Sequence, residues 1–270
     1  MDFRVFLEKN MVILDGGMGT ILQSKGLTPG EHPEKWNITH PEIITQIHKD
    51  YFDSGSNVVN TNTFGANRLK FDSNELKEII SAAVINAKTA KEQSVSNHPK
   101  FISLDIGPLG RLLRPYGDLE FEQAVEIFSE TVKYGVESGV DLITIETMND
   151  SYETKAAVLA AKENSNLPVI VTNAYGSDGK LMTGASPSAM VALLEGLGVD
   201  ALGANCSLGP EQLMGIADEL LKYSSIPVIM KPNAGLPKVI AGKTVFDVNS
   251  AEFSESVYKM CKKGVRVVGV

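Results

Sequence analysis

Only two cysteines, Cys206 and Cys261, occur in 270 residues. Two are too few for a disulfide scaffold and, by themselves, too few for a thiolate metal cage. Long apolar runs are missing as well: no window approaches the ~18 uninterrupted residues of a membrane span. The N-terminus mixes Asp2, Arg4, Glu8 and Lys9 into its short apolar stretch and lacks the core of a signal peptide. Basic residues are outnumbered, 25 Lys+Arg against 33 Asp+Glu, for a net charge of −8. With no basic surplus to neutralise phosphates, neither a nucleic acid nor an anionic membrane is expected as a partner. No Ser/Gly linker, charge block or low-complexity stretch marks a second domain. One domain over residues 1–270, in a reducing cytoplasm, is the economical expectation.

What is present is a repeated alternation. Eight short apolar runs punctuate the chain: Val12-Ile13-Leu14, Asn57-Val58-Val59, Phe101-Ile102-Ser103-Leu104, Leu142-Ile143-Thr144-Ile145, Val169-Ile170-Val171, Asp200-Ala201-Leu202-Gly203, Val228-Ile229-Met230 and Val265-Arg266-Val267-Val268. Each is short and β-branched, as strands buried on both faces are. Between them, residues 41–54, 74–93, 121–138, 151–164, 187–196, 210–223 and 250–263 carry a helical period. Pro41 suits a first helical turn, Asp150 or Ser151 a cap, and Gly139, Gly198 and Gly264 left-handed stops. Eight βα repeats predict an α/β fold, a closed (β/α)8 TIM barrel, with an open doubly wound sheet as the alternative. No segment follows the last run, so the final helix of such a barrel is expected to be lacking.

Chemistry in such barrels sits where strands run out into the next loop. Those positions hold Asp15-Gly16-Gly17-Met18-Gly19-Thr20, Asn60-Thr61-Asn62-Thr63-Phe64-Gly65, Asp105-Ile106-Gly107-Pro108, Glu146-Thr147, Asn173-Ala174, Asn205-Cys206-Ser207 and Lys231-Pro232-Asn233-Ala234-Gly235. Asp15, Asp105 and Glu146 outnumber Lys231, so the mouth should prefer a cationic group, such as an ammonium, to a phosphate. The glycine turn after Asp15 offers backbone N–H groups to an anion, a substrate carboxylate as readily as a phosphate. It matches neither GxGxxG nor GxxxxGK[ST]. Cys206 ends the sixth run in this polar mouth, where nucleophile, metal ligand and small buried hydrophobe are all open to it. His32, His40, His48 and His98 lie away from strand ends, which leaves Cys206 without an evident base. Cys261, in the last helical segment, reads as a packing residue.

These strand-end segments, in this order and over essentially the whole chain, resemble the homocysteine S-methyltransferase domain family. Within it, Asn205-Cys206-Ser207-Leu208-Gly209-Pro210 and Pro232-Asn233-Ala234-Gly235 are most similar to the N-terminal homocysteine-binding module of cobalamin-dependent methionine synthases. The resemblance implies a Zn²⁺ ion held by Cys206 and by two adjacent cysteines after the eighth strand, which this sequence does not contain. Asn233 is implied as a ligand when substrate is absent. Asp15, Gly16, Gly17 and Glu146, with Asn205 beside them, are implied as substrate-binding residues; no catalytic residue is assigned. The implied activity is methyl transfer to the homocysteine thiol, giving methionine. Methylcobalamin would be the donor, and cobalamin and folate modules of a larger protein the partners. The alternatives are a stand-alone enzyme using S-methylmethionine or another donor, and a metal-free, non-catalytic barrel. Two of the family's ligands are lacking, so the chain is expected to be a C-terminally truncated domain, to bind zinc weakly and to be inactive or impaired. A second copy of the chain, or local rearrangement, is expected to cover the apolar seam.

Overall fold

The computed structural model describes residues 1–235, 238–240, 243–245 and 248–270. Eight parallel strands form one sheet: β1 (Val12–Ile13), β2 (Val58–Asn60), β3 (Phe101–Ile106), β4 (Leu142–Met148), β5 (Val169–Asn173), β6 (Ala201–Asn205), β7 (Val228–Lys231) and β10 (Val267–Val268). The order is β1-β10-β7-β6-β5-β4-β3-β2, and a parallel bridge from Leu14 to Val58 joins the two ends. The main-chain bonds Asn57 N–H to Ile13 O (2.7 Å) and Asp15 N–H to Val58 O (3.0 Å) complete the seam. The sheet is therefore a barrel rather than an open doubly wound layer. A small antiparallel pair, β8 (Lys238–Ile240) with β9 (Lys243–Val245), lies outside it.

The outer helices fall where the period places them: α4 (Pro41–Asp53), α5 (Ser73–Gln93), α6 (Phe121–Ser138), α7 (Ser151–Asn164), α8 (Pro187–Gly196), α9 (Pro210–Tyr223) and α10 (Ser250–Lys263). Asp150 caps α7 through Tyr152 N–H, and Gly139 ends α6 at φ 81°. β10 is followed by no helix within residues 1–270, and Ile13 of β1 and Tyr258 of α10 remain exposed. No described helix is long and apolar enough to cross a membrane.

Side-chain alternation sets what fills the barrel. Along β3 the inward positions are Phe101, Ser103 and Asp105; along β4 they are Leu142, Thr144 and Glu146. The residues between them, Ile102, Leu104, Ile143 and Ile145, join the large core under the outer helices. The interior thus passes from apolar, through a hydroxyl layer where Ser103 and Thr144 bond at 2.6 Å, to charged.

Three helices have no counterpart in the periodic reading. α1 (Phe3–Lys9), capped by Asp2, closes the N-terminal end of the barrel. Phe3 and Phe6 pack on Phe101 with ring centroids 5.2 and 5.4 Å apart, in a cluster with Val12, Val58, Leu142, Ile170 and Val267. Arg4 pairs with Asp200 at 2.6 Å, and Arg266 donates to the carbonyls of Leu7, Glu8 and Asn10. Two further short helices, α2 (Met18–Ser24) and α3 (Trp36–Thr39), with a 3-10 turn at Pro33–Lys35, make up the long connection between β1 and α4.

Candidate functional site

The C-terminal ends of the strands surround a cavity of about 450 Å³. Asp15, Gly16, Gly17, Glu146, Asn205, Cys206 and Asn233, the seven residues singled out by sequence, all line it. Asn173 does not: it sits at the opposite parity on β5 and turns outward, donating to Met148 O and to Thr154 Oγ1 of α7.

Lys231 organises the charge. Its ammonium is buried 3.1 Å from Glu146 Oε2 and 3.8 Å from Asp15 Oδ1. The second separation is an ion pair but too long for a hydrogen bond, so Asp15 Oδ1 has a charged neighbour and no hydrogen-bond partner. Asp15 Oδ2 accepts Asn60 N–H at 2.7 Å. Burial pushes Asp15 up to about 7, against the pull of Lys231 and the Asn60 N–H. Asp105 is pushed well above the usual carboxylate range, first by burial and then by Glu146. Burial works against the Lys231 ammonium, but Glu146, Asp15 and Asp105 together outweigh it and hold its pKa above the ordinary lysine value. The cavity thus carries more acid than Lys231 neutralises.

Cys206 stands at one side of this space. Asn205 reaches across to β4, accepting Thr147 N–H at 2.9 Å and donating to Thr147 Oγ1 at 2.7 Å and to Cys206 Sγ at 3.5 Å. Thr147, Cys206 and Ser207 all have left-handed backbones, φ 61°, 55° and 60°, although none is glycine. Such conformations cost energy and persist where surrounding bonds over-determine them. Here Cys206 N–H donates to Lys231 O, Leu208 N–H to Cys206 O, and Ser207 Oγ to Tyr175 O. Asn233 N–H donates to Leu208 O at 3.1 Å, which draws the end of β7 to the turn after β6. Burial pushes the Cys206 thiol up, and Glu146 adds to the effect.

The glycine turn is fixed by contact. A Cβ at Gly16 would lie 2.8 Å from Tyr51 Oη, so a side chain at that position would have to displace the tyrosine ring. The histidines play no part: His48 is buried on α4 with neither ring nitrogen paired, and burial lowers it to about 4.

Zinc, which the resemblance implies, needs four donors in a tetrahedron. Cys206 and Asn233 supply one thiol and one carboxamide, and Cys261 is on α10, away from the cavity lining. Among the described residues no group of three or more His, Cys, Asp or Glu is arranged to hold a metal ion. The residues present therefore do not fit a complete zinc site.

One lining residue was not anticipated from sequence. Glu34, in the 3-10 turn, lines the cavity from a loop rather than from a strand end. Phe64 stands half-exposed at the rim and lies against Gly107. For Glu34 the available signal was the chain's only tryptophan, Trp36, beside Asn37: a large ring in a polar loop marks a segment that packs down.

The sequence profile described as "Homocysteine S-methyltransferase" matches residues 12–270. Methionine synthase of Mycobacterium leprae (strain TN) is 30% identical, over 93% of this chain and 22% of that protein. Methionine synthase of Mycobacterium tuberculosis (strain ATCC 25618 / H37Rv) is 28% identical over the same shares. The chain thus spans about a fifth of the length of these curated relatives. Among solved structures, the metallated form of the homocysteine methyltransferase MmuM from Escherichia coli matches with a TM-score of 0.82 at 22% identity, covering 99% of this chain and 93% of that one. At that identity the likeness is one of fold.

Proposed function

The chain belongs to the homocysteine S-methyltransferase family, and from that premise we propose that its barrel mouth binds homocysteine and presents the thiol for methylation to methionine. The carrying observation is the cavity itself. It joins an acidic wall, the glycine-rich turn after β1 and the Cys206 turn in one space. An α-amino acid with a short thiol arm matches those features. Its ammonium finds carboxylates, its carboxylate finds Lys231 and the Gly16-Gly17 turn, and its sulfur extends toward Cys206. Asp15, Gly16, Gly17, Glu146 and Asn205 are the substrate-facing residues in this reading.

The reaction is a displacement at carbon. The substrate sulfur forms the new S–C bond, the donor keeps the electrons of its bond to methyl, and the thiol proton leaves. This chain contributes binding and orientation, holding the amino-acid end so that sulfur points out of the mouth. The donor in this reading is methylcobalamin, carried with folate chemistry on other modules of a longer protein; similarity to methionine synthases supports it. A stand-alone enzyme with S-methylmethionine or another small donor is the second reading, supported by the fold likeness to MmuM.

Titration calorimetry with L-homocysteine under reducing conditions tests the binding claim, and mass-spectrometric detection of methionine with each donor tests the transfer. Saturable one-site binding, weakened by Glu146→Gln, is expected; absence of binding at millimolar thiol overturns the proposal.

A further inference from the structure

Resting on that reading, we propose that the rim of the mouth over β2 to β5 is the docking face for a folded protein module that carries the methyl donor. Large apolar side chains stand exposed in four successive strand-to-helix segments there. They are Phe64 after β2, Leu112 and Tyr116 after β3, Tyr152 at the start of α7 and Met182 after β5. Tyr116 is the most exposed of them, at 68%. The loop after β6 differs: it exposes Ser207 and buries Leu208. Single apolar residues scattered over a surface need no explanation, but several of them beside a functional cavity mark an interaction surface.

The segments that present these side chains are bonded to one another. Gly107 N–H donates to Phe64 O at 2.9 Å, which joins the loop after β3 to the loop after β2. Leu109 N–H donates to Glu153 Oε1 at 2.8 Å and ties the same loop to α7. Met182 N–H donates to Asn149 O at 3.0 Å, and Thr183 Oγ1 to Asp150 Oδ1 at 3.1 Å, so the loop after β5 is fastened there too. Phe121 stacks on Tyr152 with ring centroids 4.5 Å apart. Within the loop after β3, Leu109, Leu113 and Leu119 are buried, and Gly117 lies so close to Leu112 that a Cβ would stand 2.0 Å from its carbonyl oxygen. Leu112 and Tyr116 are therefore held out by a packed loop. A surface ordered beforehand loses little freedom on binding, and tyrosine and methionine are enriched at interfaces.

The occupant follows from what the face adjoins. Phe64 belongs both to the rim and to the cavity lining, so a partner seated on the rim also roofs the site. A cavity of about 450 Å³ is of the size that one small ligand fills. With homocysteine inside it, a donor as large as cobalamin has to approach from the rim. Charge does not oppose the approach: Arg111 pairs with Asp118 at 2.6 Å and Arg114 with Glu120 at 3.0 Å, which leaves this loop neutral in a chain of net charge −8. The chain spans about a fifth of the methionine synthases that it matches, so most of each relative lies outside the matched stretch, where a donor-carrying module has room.

The test reads the methionine methyl groups of the full chain by NMR. Homocysteine is present, and the probe is the purified, methylcobalamin-loaded cobalamin-binding module of a methionine synthase. The module is added up to about 1 mM, the effective concentration that a short linker provides. The Met182 signal should shift and saturate, while those of Met1 and Met11, exposed at the N-terminal end of the barrel, should stay in place. Tyr116→Ser and Leu112→Ser should each weaken the association about tenfold and leave homocysteine affinity within about twofold. Ile85→Ser, which changes an equally exposed side chain on α5, should weaken neither. Saturation that Tyr116→Ser and Leu112→Ser leave unchanged, or that moves Met1 or Met11 instead, overturns the proposal. No shift at Met182 in a chain that binds homocysteine overturns the docking face alone and favours a small donor. A wild type that binds no homocysteine overturns the functional reading beneath it.

Discussion

The floor and the mouth of this barrel are built by the same strands, four residues apart, and they obey opposite rules. At the floor, Phe101 and Leu142 meet Phe3 and Phe6 in a cluster whose members are all apolar and buried. At the mouth, Asp105 and Glu146 on the same two strands share a cavity with Lys231 and unpaired acceptors. The strained backbones of Thr147, Cys206 and Ser207 are also at that end. Close packing stabilises the first; buried charge and strain cost stability at the second. The barrel tolerates its mouth because the floor and the shell under the helices hold the strands in register.

That division can be broken from either side. Phe101→Ala removes the ring against which both α1 phenylalanines pack, and should cost about 3–5 kcal/mol of unfolding free energy. Homocysteine affinity, measured where the variant is still folded, should not change. A loss of affinity with intact folding would mean that the floor and the mouth are coupled.

Lys231→Met attacks the other end and should cost about 3 kcal/mol near pH 8, because it leaves buried carboxylates without their cation. The sign of its pH dependence follows from Asp15, raised to about 7. Below that value Asp15 is neutral and needs no cation; above it the carboxylate is charged and does. The loss should therefore be smaller at pH 5 than at pH 8 by chemical denaturation, whereas that of Phe101→Ala should be the same at both. A pH-independent loss would mean that Lys231 acts by packing alone.

The floor and the mouth also differed in how far they could be read in advance. β-Branched runs and capped amphipathic helices gave the barrel, since each element carries its own local signal, such as Asp150 before α7 and Gly139 after α6. α1 escaped because seven residues make too short a period to stand out, although Phe3, Phe6 and Leu7 already have helical spacing. At the mouth, Asp15, Asp105, Glu146, Asn205, Cys206 and Lys231 were legible as strand ends. Asn173 was misjudged because position was considered without parity. With Ile170 and Thr172 inward, Asn173 has to face α7. Glu34 was marked only by Trp36 nearby, because its burial depends on Gly65 and Asn62, about thirty residues away. The pairing of Lys231 with Glu146 likewise exists only once the strands close.

The smallest effect probes the mouth without mutation. An ammonium ligand prefers ionised carboxylates, so protons and ligand compete for Asp15 and Asp105. Asp15 is raised to about 7, and Asp105 is raised as well. Affinity for an α-amino acid should therefore increase as pH rises from 6 to 8, by about tenfold if one such group must lose its proton. L-Homoserine, whose side chain does not titrate in this range, isolates the effect from ionisation of the ligand's thiol. Proton release on binding, read as a dependence of the calorimetric heat on buffer ionisation enthalpy, should accompany it near pH 7. A flat profile with no proton release would mean that Asp15 and Asp105 keep the same protonation whether or not the ligand is bound. The positive end of the ligand would then lie beyond their reach.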